Sequence, residues 1–127
     1  MARASRNPVP AGRKRAWGKR KEAGVMNRLE ADFAALLEVR KREGAVLWYR
    51  YEPFSMRLTD DGSRTRYNPD FMVQFANGEI VCYEVKGYLD KSGDGWLKVK
   101  LAADQYPFRF ILARRPRKAE PWTEEEI

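Results

Sequence analysis

Apolar and polar positions alternate along two adjacent stretches of this chain. Phe71, Val73 and Phe75 are separated by Met72 and Gln74, and Val81, Tyr83 and Val85 by Cys82 and Glu84. A period of two predicts strands, and Asn77-Gly78 marks the hairpin between them. Two registers compete. A two-residue turn at Asn77-Gly78 pairs Phe71 with Glu84 and sends Asp70 to the opposite face. A three-residue loop, Ala76-Asn77-Gly78 with Gly78 left-handed in a bulge, pairs Phe75 with Glu79 and Asp70 with Glu84. This second register gathers Phe71, Val73, Phe75, Val81, Tyr83 and Val85 on one apolar face, and it is the one expected.

On either side of the hairpin the period changes. Met26, Leu29, Phe33, Leu36 and Leu37 form the stripe of a helix over 21–43, with Asp32, Ala35, Glu38 and Lys41 mostly off it and Gly44 as its stop. Residues 46–51 are rich in β-formers and predict a strand, followed by an extended piece over 54–58 and a turn at Asp60-Asp61-Gly62-Ser63. Asp90, Gly93, Asp94 and Gly95 break regular structure after the hairpin. A helix over 96–106 follows, with Trp96, Leu97, Leu101 and Ala102 toward the core and Lys98 and Lys100 turned elsewhere. Pro107 ends it, and 108–113 read as an apolar strand. Strand, helix and strand over 79–113 form a right-handed crossover that sets the last strand parallel to the one carrying Glu84 and Lys86. The fold class expected is α/β, a mixed central sheet flanked by helices.

The 127 residues suffice for one domain with a single core. The net charge of +7 is unevenly placed: residues 1–21 hold eight basic groups and no acid, whereas the other 106 hold 17 basic and 18 acidic groups. The expected organisation is a flexible basic arm over 1–21, a domain over 22–115 and a charged tail over 116–127 without chemistry. Arg13, Lys14, Arg15, Lys19, Arg20 and Lys21 in the arm are candidates for DNA phosphate contact, which adds salt dependence. Lys98 and Lys100 are further candidates. The competing reading is a solubilising terminus for the arm and a solvated helix face for the two lysines. A single cysteine, Cys82, excludes an intramolecular disulfide, and no apolar run approaches a signal peptide or a membrane span. These features predict a cytoplasmic protein with no membrane partner. Cys82 itself reads as a small buried apolar residue.

Charge placement in the hairpin raises the chemical question. Asp70 directly opposite Glu84, with Cβ atoms roughly 5 Å apart, is a like-charge pair that destabilises a sheet. A divalent cation between them turns repulsion into binding. With no His and one Cys, the hard oxygen ligands point to Mg²⁺ or Mn²⁺ and away from a zinc site. Lys86, one pleat beyond Glu84, is placed to hold the attacking water or the phosphate while the metal stabilises developing charge. Glu30 falls at the edge of the helical stripe, either reaching over the sheet as a further ligand or merely bordering solvent; periodicity alone favours the second. Ordinary charges on a solvated face are the competing reading of the whole set. Pro69-Asp70, the Glu-x-Lys spacing and the intervening hairpin together favour a metal site.

Helix, strand, hairpin with Asp and Glu-x-Lys, helix and parallel strand resemble the core of the restriction-endonuclease-like fold, the PD-(D/E)xK nuclease superfamily. Within it the chain is most similar to the phage endonuclease I family of Holliday-junction resolvases. The matching segments are Arg28-Leu29-Glu30, Tyr49 to Glu52, Tyr67-Asn68-Pro69-Asp70-Phe71, Asn77-Gly78 and Glu84-Val85-Lys86-Gly87. The resemblance implies an active site of Glu30, Asp70, Glu84 and Lys86. Asp70 and Glu84 would hold Mg²⁺, with Mn²⁺ substituting, helped by the Val85 carbonyl and completed by Glu30, while Lys86 orients the nucleophile. It also implies a homodimer, because resolving a four-way junction takes paired cuts. The function so implied is a metal-dependent DNA endonuclease selective for branched DNA, acting in recombination. A nicking or repair endonuclease of the same chemistry, and a non-catalytic DNA-binding protein on the same fold, stay open as alternatives.

Overall fold

Asn27 starts the first helix of the described residues. In the computed structural model, which describes residues 24–127, its side-chain oxygen accepts the Glu30 amide at 2.8 Å while the Glu30 carboxylate accepts the Asn27 amide at 2.9 Å. This reciprocal capping box opens α1 (Arg28–Arg42). The helix therefore begins later than the stripe predicts, and Met26 packs on the core from the segment leading into the cap. Gly44, at φ +88°, stops it in the left-handed conformation.

Among the described residues a mostly antiparallel sheet of five strands occupies the centre. Its order is β1 (Val46–Tyr51), β4 (Phe71–Phe75), β5 (Ile80–Lys86), β6 (Arg109–Arg114) and β7 (Thr123–Glu126). Between β1 and β4 the chain makes a separate ribbon of β2 (Met56–Arg57) and β3 (Arg66–Tyr67). Helix α2 (Asp94–Gln105) links β5 to β6, which run parallel as expected. In the β4–β5 hairpin Phe71 lies opposite Tyr83 and Val73 opposite Val81. The Phe75 amide donates to the Glu79 carbonyl at 2.9 Å and Gly78 has φ +92°. This is the three-residue loop that the apolar pattern requires, and continuing it one step sets Asp70 against Glu84.

Each face of the sheet carries a helix. Phe71, Val73, Val81, Tyr83 and Val85 pack under Phe33 and Leu37 of α1. The Phe33 ring lies 5.7 Å from that of Phe71 and 5.0 Å from those of Tyr83 and Trp122, centre to centre. On the opposite face Cys82 and Phe110 meet Val99 and Ala102 of α2 together with Met56, Leu58 and Tyr67 from the ribbon. Leu97 and Leu101 are exposed, contrary to expectation. The inward stripe of α2 runs through Trp96, Val99, Ala102 and Ala103, and the two leucines fall beside it.

The expected boundary at residue 115 also needs correction. Thr123–Glu126 pairs antiparallel with β6 and belongs to the sheet. Its low strand propensity is offset by partners: the Glu124 carboxylate accepts from Tyr83 Oη at 2.7 Å and from Arg40 at 2.6 Å, and that of Glu126 accepts from Arg109 at 2.6 Å. Trp122 is held between Phe33 and the Arg115 guanidinium, 4.7 Å from its ring centre. The basic arm over 1–21 lies outside the described residues. Among the described residues no helix is long and apolar enough to cross a membrane.

Phe33→Ala should lower the unfolding free energy by about 3–5 kcal/mol. Leu97→Ala, at a site 56% exposed, should change it by less than about 0.5 kcal/mol. Urea titrations of both variants check the pair.

Candidate active site

Pro69, fully buried, fixes the approach of the chain to β4 and sets Asp70 immediately before its first residue, Phe71. Asp70 is held there at two points. Its amide donates to the Tyr83 carbonyl at 3.0 Å, and its Oδ2 accepts the Val85 amide at 2.7 Å. Strand alternation puts the Val85 carbonyl on the same edge of β5 as that amide. Glu84, 7% exposed, accepts a hydrogen bond from Tyr67 Oη at 2.6 Å on Oε1. Its Oε2 lies 3.3 Å from Lys86 Nζ. Asp70, Glu84 and Lys86 are thus brought together as the register requires.

Burial sets the protonation of the two acids. The Asp70 carboxyl is pushed up to about 8, first by burial and then by the Glu84 charge, against the opposing pull of the Val85 amide. Burial also raises Glu84, while Tyr67 and Lys86 hold it down in part. The negative charge of Glu30 raises both, which is how the third acid acts on the site from α1.

Glu30 is 4% exposed and does not border solvent, the reading that periodicity favoured. Its carboxylate accepts the Asn27 amide and, at 2.8 Å, the Tyr51 hydroxyl. Capping α1 is a sufficient structural reason for a glutamate at this position.

Among the described residues no three His, Cys, Asp or Glu side chains stand together as a metal-holding group. The central donor set is two carboxylates, with the Val85 carbonyl on the same strand edge as Asp70. Its chemistry nevertheless fits a hard divalent cation. The donors are all oxygen, and the nearby Cys82 thiol is pushed up to about 12 by burial and keeps its proton. A half-buried Asp70 whose proton is held by burial and by the charge of the apposed Glu84 is the arrangement a cation relieves.

Glu84 and Lys86 open onto a cleft of about 210 Å³ walled by Tyr88, Asp90 and Trp96. Asp90 is occupied by its own loop: Oδ1 accepts the Ser92 hydroxyl at 2.6 Å and the Ser92 amide at 3.0 Å, which hold its carboxyl low. Lys98 and Lys100 are exposed on α2 and do not line this cleft. Arg13, Lys14, Arg15, Lys19, Arg20 and Lys21 lie outside the described residues. Sequence reasoning gave no role to Tyr67 and Tyr51. Neither carries a local signal, because each hydroxyl reaches an acid on a separate element.

No family model matches the chain, and no curated protein and no solved structure matches it either.

Folded Asp70 keeps its proton to about pH 8, whereas its ordinary value is 3.8. Between these values the folded state binds the extra proton, so stability falls as pH rises, by up to about 1.4 kcal/mol per pH unit. Thermal melts in EDTA from pH 5 to pH 8 should therefore show a declining midpoint for the wild type and a flatter profile for Asp70→Asn. Equal slopes for the two proteins would contradict an Asp70 carboxyl held protonated by burial and by the Glu84 charge.

Proposed function

We propose that this protein is a metal-dependent DNA endonuclease built on a restriction-endonuclease-like fold. One observation carries the reading: half-buried Asp70 is apposed to buried Glu84, each with a raised pKa, and Lys86 Nζ stands 3.3 Å from Glu84. A sheet gains nothing from two facing acids, whereas a phosphodiesterase needs carboxylates for a cation beside a lysine. Asp70 and Glu84 hold Mg²⁺ or Mn²⁺, the Val85 carbonyl adds an oxygen, and Glu30 supplies further negative charge from α1. The bound cation supplies positive charge to the phosphate and lowers the pKa of a coordinated water. Lys86, with its side chain 41% exposed, is free to turn from Glu84 and hold the water or a phosphate oxygen.

Branched DNA is the substrate class favoured through the family resemblance, with a homodimer delivering the two cuts of a four-way junction. A nicking or repair endonuclease would use the same residues. One observation favours a different reading, DNA binding without cleavage: Glu30 and Glu84 already have protein partners in Asn27, Tyr51, Tyr67 and Lys86.

A labelled four-way junction and a linear duplex of the same sequence, incubated with Mg²⁺, Mn²⁺ or EDTA, separate these readings. Paired cuts in the junction are expected with either cation and none in EDTA. Asp70→Ala and Lys86→Ala should each slow cleavage at least about a hundredfold. Undiminished cutting by Asp70→Ala would remove the proposed site, and binding with no cleavage under any divalent ion would establish the non-catalytic reading.

A further inference from the structure

The β2–β3 ribbon has two unlike faces. Met56, Leu58 and Tyr67 are at most 5% exposed and belong to the core beneath α2. Arg57 lies directly opposite Arg66, and the Leu58 amide donates to the Thr65 carbonyl at 3.0 Å, so the ladder continues toward the turn. By alternation Thr59 and Arg64 come next on the Arg57 face. Arg57, Arg64 and Arg66 are all exposed, and with Thr59 and Ser63 they line one polar cleft of about 460 Å³. The acid in that lining is Asp60, 98% exposed and 3.9 Å from Arg57. Among the described residues Arg64 and Arg66 form no salt bridge.

Facing arginines weaken a ribbon for the same reason as facing carboxylates, and packing makes no demand for charge on this outer face. An anion with several charges removes the repulsion. We propose that the outer face of the ribbon is a DNA-backbone contact, in which Arg57, Arg64 and Arg66 bind phosphates of the strand or arm leading to the Asp70–Glu84 pair. The identity of the anion rests on the nuclease reading. The ribbon's position supports it, because Tyr67 on the inner face is hydrogen-bonded to Glu84. The same two short strands thus carry the arginines outside and touch Glu84 inside. A two-stranded ribbon also fits the width of a DNA major groove.

Fluorescence anisotropy of a labelled duplex and a labelled four-way junction, with the full chain in EDTA over a series of salt concentrations, tests this directly. In the variant Arg57→Gln/Arg64→Gln/Arg66→Gln affinity should fall, and the slope of log K against log salt should become shallower by about 2 to 3. Arg64→Gln alone, next to the turn, should reduce the slope by about 1 with an unchanged melting curve, which separates lost contact from lost fold. A control pair on α1, Lys41→Gln/Arg42→Gln, should leave the slope where it was. Wild-type affinity and slope in the triple variant would overturn the proposal, as would a wild-type chain that binds neither DNA. Cleavage in Mg²⁺, read in parallel, keeps the two readings apart. A chain that never cuts but loses salt-dependent binding with the arginines retains the ribbon contact and discards the nuclease. A chain that cuts normally and binds normally without them does the reverse.

Discussion

Repulsion between Asp70 and Glu84 is the constraint around which the domain is arranged. It exists because the β4–β5 register leaves no alternative: a slip of one residue would turn the apolar set of one strand, Phe71 and Val73 or Val81 and Tyr83, away from α1. Each of these side chains contributes about 1.5–3 kcal/mol by being buried, so the apolar face easily outweighs one unfavourable pair of charges. Core packing therefore holds the acids together, and local bonds limit the damage. The Val85 amide on Asp70, and Tyr67 and Lys86 on Glu84, each favour the ionised form, yet both acids remain raised.

The hairpin was legible in the sequence because two signals agreed there. Alternation fixed which residues had to share a face, and Asn-Gly located the turn, so register and the apposition of Asp70 with Glu84 followed together. Helix α2 was legible in extent and half legible in orientation: Trp96 and Ala102 do face the core, whereas Leu97 and Leu101, apolar neighbours of the true stripe, are exposed and drew the predicted one to the side of Val99. The last strand was not legible at all. Thr-Glu-Glu-Glu has no β preference by itself, and it pairs because Arg40, Tyr83 and Arg109 arrive from other elements to meet its carboxylates.

Tyr67 shows why the site was only partly readable. Its hydroxyl meets Glu84 across 17 positions of sequence, from a ribbon whose docking on the sheet depends on Met56 and Leu58 as much as on Tyr67. Glu30 illustrates the opposite difficulty, since one carboxylate caps a helix, accepts from Tyr51 and charges the neighbouring acids. Its position was predictable from helical spacing, whereas its burial depended on β1 closing over it.

The acidic strand at the edge of the sheet limits how copies of this chain can meet. A free edge ordinarily offers its backbone to another strand. Two such edges brought together antiparallel about a twofold axis would set the glutamates of one copy against those of the other, with Arg40 and Arg109 already engaged within each chain. Symmetric continuation of the sheet through Thr123–Glu126 is therefore disfavoured electrostatically.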